Sequence, residues 1–449
     1  MREGMVFSRL AKVRHPILLI LAAGWIVRLL VMPLTVVYDA DYWAIVIRNL
    51  EVGQDLYGLE GYYYTPIWGY ILGLIGAFQS AFLDLGDPVM RLSETFFIEG
   101  DDWYYLSSTV PSLGFIYSYK IPLAIFDTIA AYLLYVITKD ITKDEGKALT
   151  AMALMFLCPL TIGVSCIVGM PDCISVMMLL LSFVLLIKGM PILSGASFAA
   201  AGFVKFFPAY AFFLLGAFLI LRRKGDKRLM ARDAALFVLG AAIVSIVTFG
   251  PSILQGDFEK CFRFLTDRTG AGPADGILEA FAGFARILLY FAAAVISVIE
   301  AWKMIKSTDS MPSDKRWMRG CLIVFLVCMM YPPAPQYMIV LMPFLAYWIA
   351  VEDRRCIIGW ILVSIGAVLF FTLTNGSLLL PLAAWTDLLG VDTAISILQA
   401  YMVNWGLTPL ATHYVLAGVV QYAGIVAITY FVLGDRIREY AGRILHARG

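Results

Sequence analysis

Two aspartates one residue apart stand between tyrosines in Tyr38-Asp39-Ala40-Asp41-Tyr42, directly after the first long apolar run. A carboxylate in such a place can act as a general base, a role worth about 10²–10⁴ in rate. Neighbouring carboxylates also hinder each other's ionisation, which a divalent cation, Mg or Mn, at Asp39 and Asp41 would relieve. The plain alternative is that Asp39 caps the helix-like stretch that follows, at its dipole-positive end. That stretch, Asp41 to Val52, sets Ile45 and Leu50 against Arg48, Asn49 and Glu51, a pattern suited to lying in a membrane interface.

Five further groups carry chemistry-bearing types. Tyr62-Tyr63-Tyr64-Thr65-Pro66 suits a sugar-binding wall, or an ordinary aromatic belt at an interface. Lys120 and Asp127 are seven residues apart and share a helix face. A buried aspartate costs about 2.5–3.5 kcal/mol in a membrane, so Asp127 should face the protein and find a partner. Gly169-Met170-Pro171-Asp172 makes a turn between two apolar runs, with Cys158-Pro159 before it. Lys205-Phe206-Phe207-Pro208 puts a lysine at a helix break, where it can hold a phosphate or pair with Asp127 or Asp172. Tyr331 to Tyr337, with Gln336, makes another proline-rich break.

The elements that must position these groups are membrane spans. The chain has 449 residues, 61% hydrophobic and 15% charged, against about half and a quarter in soluble domains. Apolar runs long enough to cross recur from Pro16 to Leu433, and the first, Pro16 to Val37, is too long for a cleavable signal. The expected fold is therefore all-α: one integral membrane domain over 1–449, a bundle of about 10–13 transmembrane helices with an interfacial helix after the first span. The net charge of +1 decides nothing, because its distribution matters more than its sum, and no basic surface suggests nucleic acid. The seven cysteines include no C-x-x-C pair and only three histidines occur, which argues against zinc or redox chemistry and against a catalytic triad.

Basic segments at Met1–His15, Arg222–Arg232, Lys303–Arg319 and Asp435–Gly449 place both termini in the cytoplasm. Asp39–Glu60, with five acidic residues and one arginine, and Asp84–Asp102, with six and one, then lie outside. That defines an outer-face region, 38–115, and an outer loop, 254–280. The apolar stretch Tyr64–Leu83 would have both flanks outside, which suggests a re-entrant or in-plane segment or a bent pair of half-helices, with Pro66, Gly69, Gly73 and Gly76 permitting irregular backbone. The alternative is an ordinary span followed by an acidic cytoplasmic loop. Leu193–Leu221 is too long for one straight crossing, and Pro208 predicts two half-helices meeting near Lys205. Leu378–Ala400 reads as a partly inserted pair.

In this order the motifs resemble the GT-C class of glycosyltransferases, and within it the first mannosyltransferase of GPI-anchor synthesis and its prokaryotic relatives. The matching elements are the tyrosine-flanked Asp39-Ala40-Asp41, then Tyr64-Thr65-Pro66 with Trp68, then Lys120, Asp127 and Leu133-Leu134-Tyr135. Pro159, Ser165, Gly169 and Asp172 follow, then Lys205 and Pro208. Cys158 departs from the family's asparagine. The resemblance implies an inverting mannosyl or hexosyl transfer from a polyprenyl-phosphate donor, such as a dolichol-linked mannose, to a lipid or glycan acceptor on the outer face. Asp39 or Asp41 would be the base. Lys205, helped by Arg263 and Arg268, would hold the donor phosphate. Tyr38, Tyr42, Tyr64, Lys120, Asp127, Asp172, Gln336 and Tyr337 would line the substrate. A small membrane subunit is a further expected partner, the resemblance does not require a metal, and in a prokaryote the location would be the plasma membrane. Two other classes compete: a transporter or lipid flippase using Lys205, Asp127 and Asp172 as a relay, and a noncatalytic subunit of a membrane complex.

Overall fold

The structure is a computed structural model, and it describes residues 15–34, 38–59, 61–83, 90–97, 103–262, 277–307, 312–331, 334–373, scattered positions between 383 and 396, and 407–446. It is a polytopic helix bundle, as composition demands. The first span is shorter than its apolar run: α1 covers Pro16–Val31 and gives way to a 3₁₀ turn at Met32–Leu34, where Pro33 has no N–H to continue the helical ladder. Helix α2, Tyr38–Glu51, follows.

The stretch read as re-entrant is one unbroken helix, α3, Pro66–Phe82. Its glycines do not bend it; they admit neighbours. A Cβ on Gly69 would lie 2.4 Å from Leu56, and one on Gly76 2.7 Å from Ile47 of α2. The half-helix reading is thereby corrected. The following acidic region, expected as a loop, contains an antiparallel hairpin. Strand β1, Met90–Phe97, pairs with β2, Trp103–Val110, in a register running from Met90 opposite Val110 to Phe97 opposite Trp103. Aromatic and β-branched residues favour strands, and Gly100, Asp101 and Asp102 are turn formers.

The rest alternates long spans with broken ones. Helix α4 is Leu113–Thr142 and α5 is Glu145–Phe156. Pro159 then opens α6, Pro159–Ile162, which continues as a wide turn, Gly163–Val168, bent 43° from α5. Thr161 donates its hydroxyl to the carbonyls of Met155 and Cys158, at 2.9 and 2.8 Å, so the break costs little. Helix α7 is Asp172–Ile187 and α8 is Pro191–Val204. The predicted break at Lys205 is present: Lys205 is extended, Phe207–Ala211 forms a 3₁₀ turn, and α9 resumes at Phe212–Arg222.

Then come α10, Lys227–Gln255, α11, Ile277–Lys306, and α12, Ser313–Cys328. A 3₁₀ turn, Pro335–Val340, leads into α13, Met342–Val351. Helices α14, Ile357–Leu373, and α15, Leu407–His446, complete the bundle. Among the described residues five helices are long and apolar enough to cross a membrane, or six with the bent α5–α6 pair, and several shorter apolar helices accompany them. Helices α10 and α11 present apolar residues such as Ile246, Val247, Phe284 and Phe291 outward, as lipid contact requires. Leu378–Ala400 lies largely outside the described residues.

Candidate functional site

The break after α8 aims Lys205 into a pocket of aromatic rings. Its Nζ lies 4.4 Å from the ring centre of Tyr64 and 4.7 Å from that of Tyr337. The Tyr64 hydroxyl is 3.4 Å from Nζ and donates to the Met170 sulfur at 3.7 Å. Asp172 Oδ2 is 3.6 Å away, with its side chain 3% exposed against 10% for Lys205. A close charge-assisted hydrogen bond runs 2.7–2.9 Å, so this ion pair is longer than a close one. Ring faces attract a cation, and burial among them raises the value of any opposite charge brought in.

Local sequence explains why these groups meet. Breaking α8 at Lys205 frees the carbonyl of Phe203, which accepts the Thr65 hydroxyl. That bond ties the Tyr64-Thr65-Pro66 segment to the break. Tyr57 donates to the Tyr64 carbonyl at 2.9 Å and Tyr62, from the supposed wall, to the Thr65 carbonyl at 3.1 Å, so both shape the loop. Tyr63 points outward, 42% exposed. Asp172 opens α7, where the helix dipole favours a carboxylate. The turn before it needs glycine twice over: Gly169 has φ +80°, and a Cβ there would lie 2.2 Å from the Tyr119 hydroxyl. Gln336 and Tyr337 come from the 3₁₀ turn, both buried, with Tyr337 packed on Phe207 at 5.2 Å.

Helix α2 reaches this pocket through Trp43, which packs edge-on against Tyr64 at 5.2 Å and Trp68 at 5.5 Å. Tyr42 packs on Trp43 at 5.7 Å. The backbones of Tyr38, Asp39 and Asp41 form the first turn of the same helix; their side chains, and with them the expected metal position, lie outside the described residues. Arg263 and Arg268 lie outside them as well. Among the described residues no group of three or more metal-ligating side chains is assembled.

Lys120 and Asp127 share a face of α4 and bond groups other than Lys205. Lys120 Nζ bonds the carbonyls of Met32 and Ile167 at 2.8 and 2.9 Å. Asp127 Oδ2 takes Arg28 at 3.0 Å and the Ser165 hydroxyl at 2.5 Å. Arg28, fully buried, also bonds the Phe156 carbonyl at 2.8 Å and stacks over the Phe156 ring at 4.0 Å. Sequence reasoning missed Arg28. The signal was an arginine inside the first apolar run, which by its cost alone demands a partner. It also missed Trp43 and Met170, which hold Tyr64.

Beside this site, outside the spans, a cavity of ≈ 340 Å³ is lined by Tyr57, Gly58, Leu59, Gly61, Tyr62, Tyr63 and Lys260. Asp55, which lines an adjoining cavity, hydrogen-bonds Asp257. Burial, then a hydrogen bond to Asp257 and its charge, raises the Asp55 carboxyl above its ordinary value. The bond from Lys260, at 2.6 Å, holds Asp257 low.

The family model for the GPI transamidase subunit PIG-U matches residues 93–267, under half of the chain. No curated protein matches. The match overturns the glycosyltransferase reading. The matched family is described as a transamidase subunit and not as a sugar transferase, so an inverting mannosyl or hexosyl transferase, with a polyprenyl-phosphate sugar donor and its acceptor as partners, is not supported. The physical reason is plain in the residues. Broken helices, a buried lysine and an acidic turn are not peculiar to one chemistry, and nothing in those features specifies sugar transfer. The motif on which catalysis was placed, Asp39-Ala40-Asp41, precedes the matched span, whereas Lys120, Asp127, Asp172 and Lys205 fall inside it.

Proposed function

We propose that this chain is a noncatalytic multi-pass subunit of a membrane transamidase-type assembly, and that the Lys205 pocket holds the anionic head group of its glycolipid substrate. The observation that carries this is the placement of both members of the Lys205–Asp172 pair within the span similar to the GPI transamidase subunit family. Asp172 serves as the resting counter-ion. A phosphate entering between Tyr64 and Tyr337 takes its place, and the aromatic faces offer stacking to an attached sugar ring. The site residues named from sequence divide accordingly: Tyr64, Asp172, Lys205 and Tyr337 form the pocket, while Lys120 and Asp127 support the helices around it. Basic flanks support an orientation with both termini in the cytoplasm and the Lys205 end of the bundle outside; in a cell without internal membranes that is the plasma membrane.

The test is isolation from native membranes under mild detergent. The tagged chain should bring down stoichiometric membrane partners that together transfer a peptide carboxyl onto an amine-bearing glycolipid. Depleting the chain should abolish transfer. A chain that purifies alone from its native membrane, with transfer unaffected by its removal, refutes the proposal.

A further inference from the structure

A second anion seat lies on α11. Arg286 lies in the N-terminal half of α11, within a largely apolar stretch. Its guanidinium stacks on the Tyr331 ring at 4.9 Å. That contact satisfies the face of the group and none of its five N–H donors. The Nε atom is buried with no acceptor, and among the described residues no carboxylate pairs with it. An intramembrane arginine is expensive unless an anion meets it. One turn on, Tyr290 is 6% exposed and its hydroxyl also lacks a partner. Residues four apart on a helix are neighbours, so the two unsatisfied donor groups lie side by side. Tyr290 packs on Phe206 and Phe207 at 5.9 and 5.8 Å, which puts this seat at the same end of the bundle as Lys205.

The surroundings identify the ligand. Phe284, Ile287, Leu288 and Phe291 of the same helix face outward, exposed and apolar, a surface suited to acyl chains. We infer that Arg286 and Tyr290 bind the phosphate of a glycerophospholipid whose chains lie along the outer face of α11. This site is separate from the Lys205 pocket and does not depend on the transamidase reading.

The test is native mass spectrometry of the full chain released from micelles containing phosphatidylglycerol, with inorganic phosphate as a competing arm. Wild type should retain a first lipid about tenfold more tightly than Arg286→Gln, a span set by hydrogen bonds to a charged group. Arg286→Lys should fall between, and Tyr290→Phe should lose several-fold. Where Arg286→Gln does not fold, the Lys and Phe variants decide. Equal retention by wild type and folded variants overturns the site. Displacement by inorganic phosphate alone overturns its assignment to a lipid.

Discussion

Arg28 and Asp127 offer a quantitative test of how the bundle is held. Replacing Arg28 by Met removes a 3.0 Å ion pair, a 2.8 Å bond to the Phe156 carbonyl and a ring contact at 4.0 Å. The Asp127 carboxylate is left buried with Ser165 as its remaining partner. Breaking one side of a buried pair typically costs about 3–5 kcal/mol. Asp127→Leu should cost about the same, since Arg28 then keeps only backbone carbonyls. The double variant removes both charges, and its residual cost should be about 1–3 kcal/mol for the orphaned carbonyl and hydroxyl. The singles therefore exceed the double, with a coupling of at least about 2 kcal/mol. Unfolding by SDS titration in mixed micelles measures each value. Singles costing under about 1 kcal/mol, or a cycle additive to about 0.5 kcal/mol, would show that the pair does not hold α1 to α4 and would refute the reasoning.

Three further outcomes follow from the same geometry. A Cβ on Gly240 would lie 1.9 Å from the Ile192 carbonyl, whereas one on Gly250 meets nothing within 4 Å; Gly240→Ala should cost about 1–3 kcal/mol by overpacking, and Gly250→Ala should be neutral or slightly stabilising in the same titration. Gly169→Ala should lower both thermal stability and head-group binding, because it strains a left-handed turn and displaces Asp172. The raised Asp55 carboxyl means that the folded chain binds its proton more tightly than the unfolded chain does. Its contribution is present below the ordinary value and is lost as pH rises through the folded one. Asp55→Asn should therefore raise stability at neutral pH, by less than about 1 kcal/mol given its exposure, and flatten the acid-side pH profile of thermal melting.

The spans were legible because apolar runs and proline breaks act locally. The length of its apolar run and Pro208 predicted the interruption at Lys205, whereas the bend between α5 and α6 at Pro159 went unread. Other features depend on distant partners. The glycines of α3 read as breaks, since sequence does not say that Leu56 and Ile47 press on them. The hairpin was hidden because charged Arg91 and Glu94 interrupt its aromatic pattern. Arg28 was visible as a cost, but Asp127 lies 99 residues away. Lys205 and Asp172 were marked by type and by their breaks, and the structure brings them within 3.6 Å. The chemistry was not legible, because a lysine beside tyrosines accepts any phosphate-bearing lipid, and similarity to a transferase and to a transamidase subunit rests on overlapping segments.

The central claim is that Lys205 meets an anionic head group in place of Asp172. The direct measurement is the affinity of the purified chain for a GPI-type glycolipid, read from the fluorescence of Trp43 beside Tyr64. Lys205→Met should bind at least about tenfold more weakly, while Asp172→Asn, having lost the competing carboxylate, should bind more tightly than wild type. If both folded variants bind as wild type does, or both weaken alike, the pair is structural and the account is wrong.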